Sequence, residues 1–367
     1  MQTLRKVQNR LAVFMATIFI AAACGGGTAT PSAAPTTSSA ASAAASQGLP
    51  AKFPVELANV QLWGSRDPQS MAEVVIADKK GYFTDEGLTV DVKFVSFGSE
   101  IPPAVAGGSI VLGKQAGGGV ILMAQTTQVR VFVRTSDISG GIGVIVRPQA
   151  NIKTIKDLEG KKLGMPKTTP NTDGVKKLMA AYGADYSKLT IVNLQPADAV
   201  TAFQKGDIDA AWVPETALST LRNGGGVLLH TGQVSWLDGT AKPRPFGYYN
   251  PDVLFATKAF ADKNPNTILA VMRAMKRGID YIKSNPDDAA TIVAPAMNST
   301  VEIMKTGWTE FGFTFDFDDS NLATPMDALS QLLMESGDNK LAPKFKDYSD
   351  PSFLRKLYPD AVKTSIQ

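Results

Sequence analysis

The sequence is short of the residues that most often carry chemistry at a protein site. Its 367 residues include one Cys, Cys24, and one His, His230. This count excludes a zinc site built from several Cys and His ligands, and it excludes an intrachain disulfide. His230 follows an apolar run and is expected to be a structural residue at a strand end. We therefore expect no metal, no cofactor and no catalytic triad.

An excess of charge is also missing from the body of the protein. The chain has 37 Lys and Arg against 34 Asp and Glu, but Arg5, Lys6 and Arg10 lie in the first 50 residues, which carry no acid. The remainder therefore holds 34 charges of each sign. Binding to nucleic acid through a broad basic surface needs an excess of positive charge, so we predict no nucleic-acid partner.

The first residues have the layout of a secretory signal. After the basic start, residues 11–23 are apolar or small, a run of thirteen that is too short for the ~20 residues of a membrane span. Cys24 follows Ala21, Ala22 and Ala23, which resembles the lipobox of bacterial lipoproteins. We expect a signal peptide over 1–23, lipidation at Cys24 and an extracytoplasmic location at a membrane. The alternative is a plain signal peptide with an incidental Cys.

Residues 24–52 are expected to form a flexible linker. The segment is rich in Ala, Ser, Thr, Gly and Pro and carries no charge before Lys52. Such a composition buries too little apolar surface to offset the entropy of ordering. From residue 53 onward, short β-rich runs alternate with helical patterns, and this alternation is typical of an α/β fold. We expect a strand over 109–112, helices over 173–182 and 266–283, and mainly helices beyond Thr257.

Three motifs in order resemble a known family. Residues 77–88 read ADKKGYFTDEGL, residues 152–164 read IKTIKDLEGKKLG, and PADA at 196–199 precedes GDIDAAW at 206–212. Together they are similar to the sulfonate/taurine/nitrate-type solute-binding proteins of ABC importers, a group related to thiamine-pyrimidine synthases. The resemblance runs from about residue 55 to 229.

The resemblance implies a type II periplasmic-binding-protein fold, in which two Rossmann-like lobes are joined by two crossovers and a ligand cleft lies between them. Lobe 1 would be 53–138 plus 245–367, and lobe 2 would be 139–244. It also implies a monomer that captures a small molecule and delivers it to the permease and ATPase subunits of an importer. The alternative is a sensor that presents bound solute to another protein. Permease and ATPase genes next to this one would favour import over the sensor.

Candidate ligand-binding residues in lobe 1 follow two predicted strands. Trp63, Ser65, Arg66 and Ser70 lie in a loop that leads into a predicted helix, where a stacking face, a cation and free N–H groups would meet a polar head. A surface ion pair between Arg66 and a nearby acid is the competing interpretation. Gln115 precedes the run 117–119 of three glycines, a segment that can cradle an anion or form an ordinary turn.

Candidates in lobe 2 and at the second crossover complete the expected site. Thr168, Thr169 and Asn171 match the polar loop of the family, with helix capping as the alternative role. Trp212 matches its cleft-lining strand end, and Tyr248 is expected to wall the cleft. Glu215 departs from the family pattern, because a carboxylate repels an oxyanion. It is expected to face solvent, to cap the next helix, or to meet a donor or a cation on the solute.

The expected solute is a sulfonate or a similar oxyanion. A vitamin or pyrimidine-type heterocycle is the alternative, since Trp63, Trp212 and the tyrosines offer flat apolar faces. An enzyme of the related pyrimidine-synthesising class is disfavoured, because that chemistry needs His and Cys residues in the body, where His230 stands alone and Cys24 is the expected anchor. We therefore expect a binding protein and not an enzyme.

Overall fold

Two mixed sheets organise the chain in a computed structural model, which describes residues 52–167, 169–240, 242–243, 248–310 and 312–367. The strands are β1 Asn59–Ser65, β2 Thr89–Val95, β3 Leu112–Ala116, β4 Val129–Asp137, β5 Ile142–Val146, β6 Lys162–Met165, β7 Thr190–Asn193, β8 Ala210–Pro214, β9 Val227–Thr231, β10 Val234–Ser235, β11 Lys242–Pro243, β12 Pro251–Thr257, β13 Gly312–Asp318 and β14 Val362–Lys363. The predicted signal peptide, Cys24 and the predicted linker up to residue 51 lie outside the described residues.

Helices flank both sheets. They are α1 Ala72–Lys79, α2 Tyr82–Asp85, α3 Ile101–Ala106, α4 Gly117–Thr126, α5 Thr169–Ala181, α6 Pro196–Lys205, α7 Glu215–Asn223, α8 Lys258–Lys263, α9 Pro265–Ser284, α10 Pro286–Ala296, α11 Val301–Glu310, α12 Thr324–Glu335 and α13 Ser352–Leu357. Among the described residues, no helix combines the length and the apolar character that crossing a membrane requires.

The first sheet has the order β14-β13-β4-β12-β3-β1-β2, and the second has the order β11-β10-β9-β5-β8-β6-β7. The first sheet therefore takes its strands from both ends of the body and the second takes them from the middle. We call the corresponding parts lobe 1 and lobe 2. Residues 138–141 connect β4 to β5, and the segment before β12 returns the chain to lobe 1. The expected two-lobed α/β fold is confirmed.

The central strands β5 and β8 of the second sheet are buried on both faces, which explains their near-continuous apolar sequences. Successive residues of β8 alternate between two cores, with Ala210 and Trp212 in one and Ala211 and Val213 in the other. Lobe 1 has a single large core, to which the amphipathic α9 contributes Ile268, Met272 and Met275. The Met residues of this helix are buried packing residues.

Two expected elements differ from the structure. Strand β3 begins at Leu112, the last residue of the strand predicted over 109–112, and runs to Ala116. It includes the buried polar residues Lys114 and Gln115, which do not follow the apolar pattern expected of a buried strand. The prediction that helices dominate beyond Thr257 omitted β13, which pairs antiparallel with β4. Its alternating FTFDFD sequence is a strand pattern that the helical surroundings obscured.

The family signature has a structural role. Gly81 and Gly87 have φ values of 73° and 78°, which glycine adopts without strain, and they bracket the short α2. Phe83 between them is buried in the core of lobe 1. The signature therefore forms the connection from α1 to β2 and does not lie on a ligand surface.

Candidate functional site

A cavity of about 480 Å³ lies between the lobes. We call it the interlobe cavity. Lobe 1 supplies α4, the loop before α3 and the end of α12, whereas lobe 2 supplies the start of α5. Its lining residues are Gly98, Ser99, Pro102, Gln115, Ala116, Gly118, Gly119, Leu122, Lys167, Pro170, Asn171, Tyr248, Asn250, Leu333, Asp338 and Asn339.

Two helices begin at this cavity from opposite lobes. α4 starts at Gly117 directly after β3, with Gly118 and Gly119 on the cavity wall. No side chain caps this helix, and its first turn has no acid. α5 starts at Thr169, with Pro170 and Asn171 on the opposite wall. Helix N-termini present unsatisfied N–H groups and partial positive charge, so this arrangement favours an anion.

The glycines of α4 allow the two lobes to touch. A Cβ atom at Gly118 would lie 3.0 Å from Cγ of Pro170, across the gap between the lobes. A Cβ atom at Gly119 would lie 2.4 Å from Nε2 of Gln115. The glycine run is therefore needed for close approach on both sides, and it forms the first turn of a helix.

Gln115 lines the cavity, but its amide is used within lobe 1. Nε2 donates to the Gly98 carbonyl oxygen at 2.6 Å, and Oε1 accepts from the Ala116 N–H at 2.8 Å. These bonds fix the loop at Gly98 to the start of α4. Gln115 therefore shapes the wall.

Asn171, Trp212 and Tyr248 form a connected wall in lobe 2 and the second crossover. Trp212 is fully buried, and its Nε1 donates to Oδ1 of Asn171 at 3.2 Å. Nδ2 of Asn171 donates to the Pro166 carbonyl oxygen at 3.1 Å. The rings of Trp212 and Tyr248 meet edge to face at 5.6 Å. Trp212 thus supports the start of α5 from beneath, and Asn171 and Tyr248 reach the cavity.

Glu215 is buried at the start of α7, where its Oε1 accepts a hydrogen bond from the Ser219 hydroxyl. Of the roles expected for Glu215, exposure to solvent is wrong, because the side chain is enclosed in the first turn of this helix. Thr168 lies outside the described residues. Thr169 is the first residue of α5.

The loop after β1 is occupied by contacts within lobe 1. The Arg66 guanidinium donates to the Ala296 carbonyl oxygen at 2.6 Å and stacks 4.4 Å from the centre of the Phe94 ring. These contacts engage the guanidinium, and the competing interpretation, a surface ion pair with a nearby acid, is not found among the described residues. Trp63 donates from Nε1 to Oε1 of Gln61 at 3.3 Å.

The two serines of this loop bind carboxylates. The Ser65 hydroxyl donates to Asp67 at 2.7 Å, and the Ser70 hydroxyl donates to Asp252 at 3.1 Å. Neither serine is among the residues that line the interlobe cavity. A carboxylate beside each hydroxyl makes the loop unfavourable for an oxyanion.

Behind this loop lies a buried cluster of charges around Lys114. Its ammonium contacts Asp252 at 2.8 Å, Glu73 and the Ser70 carbonyl oxygen. Burial lowers the pKa of Lys114, but the two carboxylates raise it more, and the net shift is upward. Burial raises the pKa of Glu73 and of Asp252, and it raises the pKa of Asp67 to about 7. The Lys114 ammonium is thus engaged by two carboxylates within lobe 1.

A second cavity of about 520 Å³ adjoins the first and shares Pro170 and Tyr248 with it. It lies between α5 and α12, and its apolar wall includes Leu329 and Leu332. Within the described parts of the chain, no cluster of three or more His, Cys, Asp or Glu side chains is arranged to hold a metal ion.

Asn250 and Asn339 are cavity residues that the sequence reasoning missed. Asn250 lies two residues after Tyr248, which the sequence analysis placed at the second crossover. Its position near the cavity therefore follows from that prediction. Asn339 follows α12 in a Gly-Asp-Asn turn, which has only the pattern of a helix end. No sequence signal distinguishes it from an ordinary turn residue.

Comparisons with known proteins agree with this architecture. The chain is 28% identical over 217 residues to the taurine-binding periplasmic protein of Escherichia coli (strain K12), a match that covers 59% of this chain and 64% of that protein. It is 25% identical over 223 residues to the formylaminopyrimidine-binding protein of Halalkalibacterium halodurans, covering 59% of this chain and 64% of that protein. The chain thus spans somewhat less than two thirds of the length of these relatives.

A solved structure shows the same fold. The periplasmic aliphatic sulphonate binding protein of Escherichia coli superposes with a TM-score of 0.67 at 17% identity, covering 80% of this chain and 92% of that one. A family model described as NMT1/THI5 like matches residues 69–289, which is more than half of the sequence. The chain therefore belongs to the NMT1/THI5-like family.

Proposed function

We propose that this chain is the extracytoplasmic solute-binding component of an ABC importer and that its ligand is a small oxyanion, foremost a sulfonate. The observation that carries the proposal is the interlobe cavity, onto which α4 and α5 open their N-termini from opposite lobes. An anion held between them interacts favourably with both helix dipoles only when the lobes are together. Binding and closure are therefore coupled.

The electrostatics of the wall favour an anion held by neutral donors. The charged lining residues are Lys167 and Asp338, both exposed, and the rest of the wall consists of backbone, amide, hydroxyl and aromatic groups together with apolar proline and leucine side chains. The charge cluster around Lys114 lies within lobe 1 and holds its own carboxylates. The names of the taurine-binding and sulphonate-binding relatives support the same ligand class.

A pyrimidine-type heterocycle is the second candidate. Tyr248 faces both cavities, and one relative is named as a formylaminopyrimidine-binding protein. A flat ring would stack on this tyrosine, whereas it would gain little from two helix N-termini. Catalysis is not part of the proposal, because His230 is buried in β9 and Cys24 carries the proposed lipid anchor.

A ligand screen tests the proposal. Native mass spectrometry of the purified protein would reveal any ligand retained from the cell. A thermal-shift panel would then compare taurine, alkanesulfonates, inorganic oxyanions and pyrimidines. A ligand at 100 times its Kd stabilises the folded protein by about 2.7 kcal/mol, a readily measured shift. We expect a sulfonate to give this stabilisation. Stabilisation by pyrimidines alone would replace the oxyanion with the heterocycle, and no response to any of them would overturn the proposal.

The lipid anchor and the monomeric state are part of the proposal and are tested separately. A single lipidated Cys24 behind a spacer would hold the protein at a membrane surface. In cells, Cys24→Ser is expected to move the protein from the membrane fraction to the soluble fraction. An unchanged membrane fraction would contradict the anchor. Analytical ultracentrifugation of the purified body is expected to give a single species at the monomer mass.

A further inference from the structure

The segment after α12 is held firmly against the interlobe cavity. α12 ends at Glu335, and Gly337, with a φ of 80°, reverses the chain so that the Asn339 N–H donates to the Leu333 carbonyl oxygen at 3.0 Å. The next two backbone N–H groups both donate to Oε1 of Gln125 on α4, at 3.1 Å each. Asn339 is therefore fixed from both sides by two helices of lobe 1.

The side chain of Asn339 is buried without a partner. The residue is 7% exposed, it lines the interlobe cavity, and its Nδ2 has no hydrogen-bond partner among the described residues. Leaving a buried amide donor unpaired is unfavourable. On the same wall, both polar atoms of the Gln115 amide already have a partner, in Gly98 and Ala116. Asn339 is thus an amide of this wall that keeps donor capacity.

We propose that Asn339 is a ligand-contacting, specificity-determining residue, whose amide donates to one oxygen of the oxyanion while the α4 N-terminus donates to another. Gly118 and Gly119 lie on the same cavity wall as Asn339, and a sulfonate has three oxygens to accept such bonds. This inference rests on the proposed function and goes beyond it, because it assigns part of the recognition to the C-terminal part of lobe 1. Asn339 lies outside residues 69–289, which the family model matches. Family membership, which rests on the match over residues 69–289, therefore does not by itself imply this contact.

The test compares Asn339→Asp and Asn339→Ala with the wild-type protein, using butane-1-sulfonate as the probe in isothermal titration calorimetry. Asn339→Asp keeps the shape but places a carboxylate against the anion, and it is expected to raise the Kd at least tenfold. Asn339→Ala removes the donor and is expected to raise the Kd roughly three- to tenfold, in line with the loss of one hydrogen bond. The melting temperature of the ligand-free Asn339→Ala protein is expected to stay at the wild-type value, because no protein partner loses a bond.

Asn59→Asp is the matched control. Asn59 is exposed at the start of β1, and the same change there is expected to leave the Kd unchanged. An unchanged Kd for Asn339→Ala would overturn the inference. A clear loss of ligand-free stability in that variant would assign Asn339 a structural role and would also overturn it. If the wild-type protein binds none of the sulfonates, the proposed function fails and this inference fails with it, a result read on the wild-type protein alone.

Discussion

Gly118→Ala is the change that separates ligand binding from folding most sharply. The new Cβ atom would lie 3.0 Å from Cγ of Pro170 in the other lobe, whereas ordinary contacts between carbon atoms lie near 3.5–4.0 Å. Closing the lobes therefore requires a displacement of about half an ångström against a stiff proline ring at the start of α5. Overpacking of this kind costs roughly 1–3 kcal/mol. Since about 1.4 kcal/mol is a tenfold change in Kd, sulfonate binding is expected to weaken by a factor of at least about five.

The same change has the opposite effect on the ligand-free protein. Alanine is favoured over glycine within a helix by about 0.5–1 kcal/mol, so the ligand-free protein is expected to be as stable as the wild type or slightly more stable. Calorimetric titration with butane-1-sulfonate gives the Kd, and urea unfolding gives the free energy of unfolding. Gly107→Ala is the matched control, because a Cβ atom there would meet its own helix at 3.4 Å and does not face lobe 2.

Two results would refute this reasoning. A Gly118→Ala protein that binds sulfonate as tightly as the wild type would show that the contact with Pro170 does not form in the bound state. A parallel loss of ligand-free stability would show that the contact belongs to the fold itself and is not coupled to the ligand.

Three further predictions concern the groups around the site. Lys114→Met leaves the carboxylates of its cluster without their cation. It is expected to lower the free energy of unfolding, measured with urea, by about 3–5 kcal/mol. The control is Lys79→Met, at a side chain that is 62% exposed, and it is expected to have little effect. Burial raises the pKa of Asp67 to about 7 from 3.8, so the folded state binds more protons between those values and the free energy of unfolding falls as the pH rises through that window. Asp67→Asn should remove this dependence on pH and stabilise the protein at pH 8. The gain is at most about 4 kcal/mol, since one pKa unit corresponds to about 1.4 kcal/mol. An unchanged slope would show that Asp67 is not the group that titrates in this window. Trp212→Phe removes the Nε1 donor to Asn171. It is expected to lower the free energy of unfolding by about 1 kcal/mol and to weaken sulfonate binding. An unchanged Kd would show that Trp212 does not support the site.

The sequence was sufficient to predict the elements whose signals are local. Gly81 and Gly87 bracket a turn because only glycine adopts their φ values without strain, and the apolar spacing over 266–283 predicts the helix that is found at Pro265–Ser284. The glycine run at 117–119 was a correct indication of a special segment, although the sequence alone did not show that it begins a helix at the cavity. These features depend on neighbours within a few residues.

The loop after β1 shows where such reasoning stops. Arg66 and Ser70 have the residue types of an anion site, yet they bind groups of lobe 1 that lie far away in the sequence. Asp252 is 182 residues from Ser70, and Ala296 is 230 residues from Arg66. No pattern in the chain predicts that these acceptors arrive at this loop, because the tertiary fold alone brings them there. The same holds for Asn339, whose position on the cavity depends on the packing of α12 against α4.

The central claim is that an oxyanion binds between the N-termini of α4 and α5. The most direct test is a crystal structure of the protein with 2-bromoethanesulfonate, in which the anomalous signal of bromine locates the ligand. We predict that the bromine lies in the interlobe cavity, with the sulfonate oxygens within hydrogen-bond distance of the backbone N–H groups at the start of α4. A bromine peak at the loop of Ser65 and Ser70, or a cavity that holds no ligand at a saturating concentration, would contradict the claim.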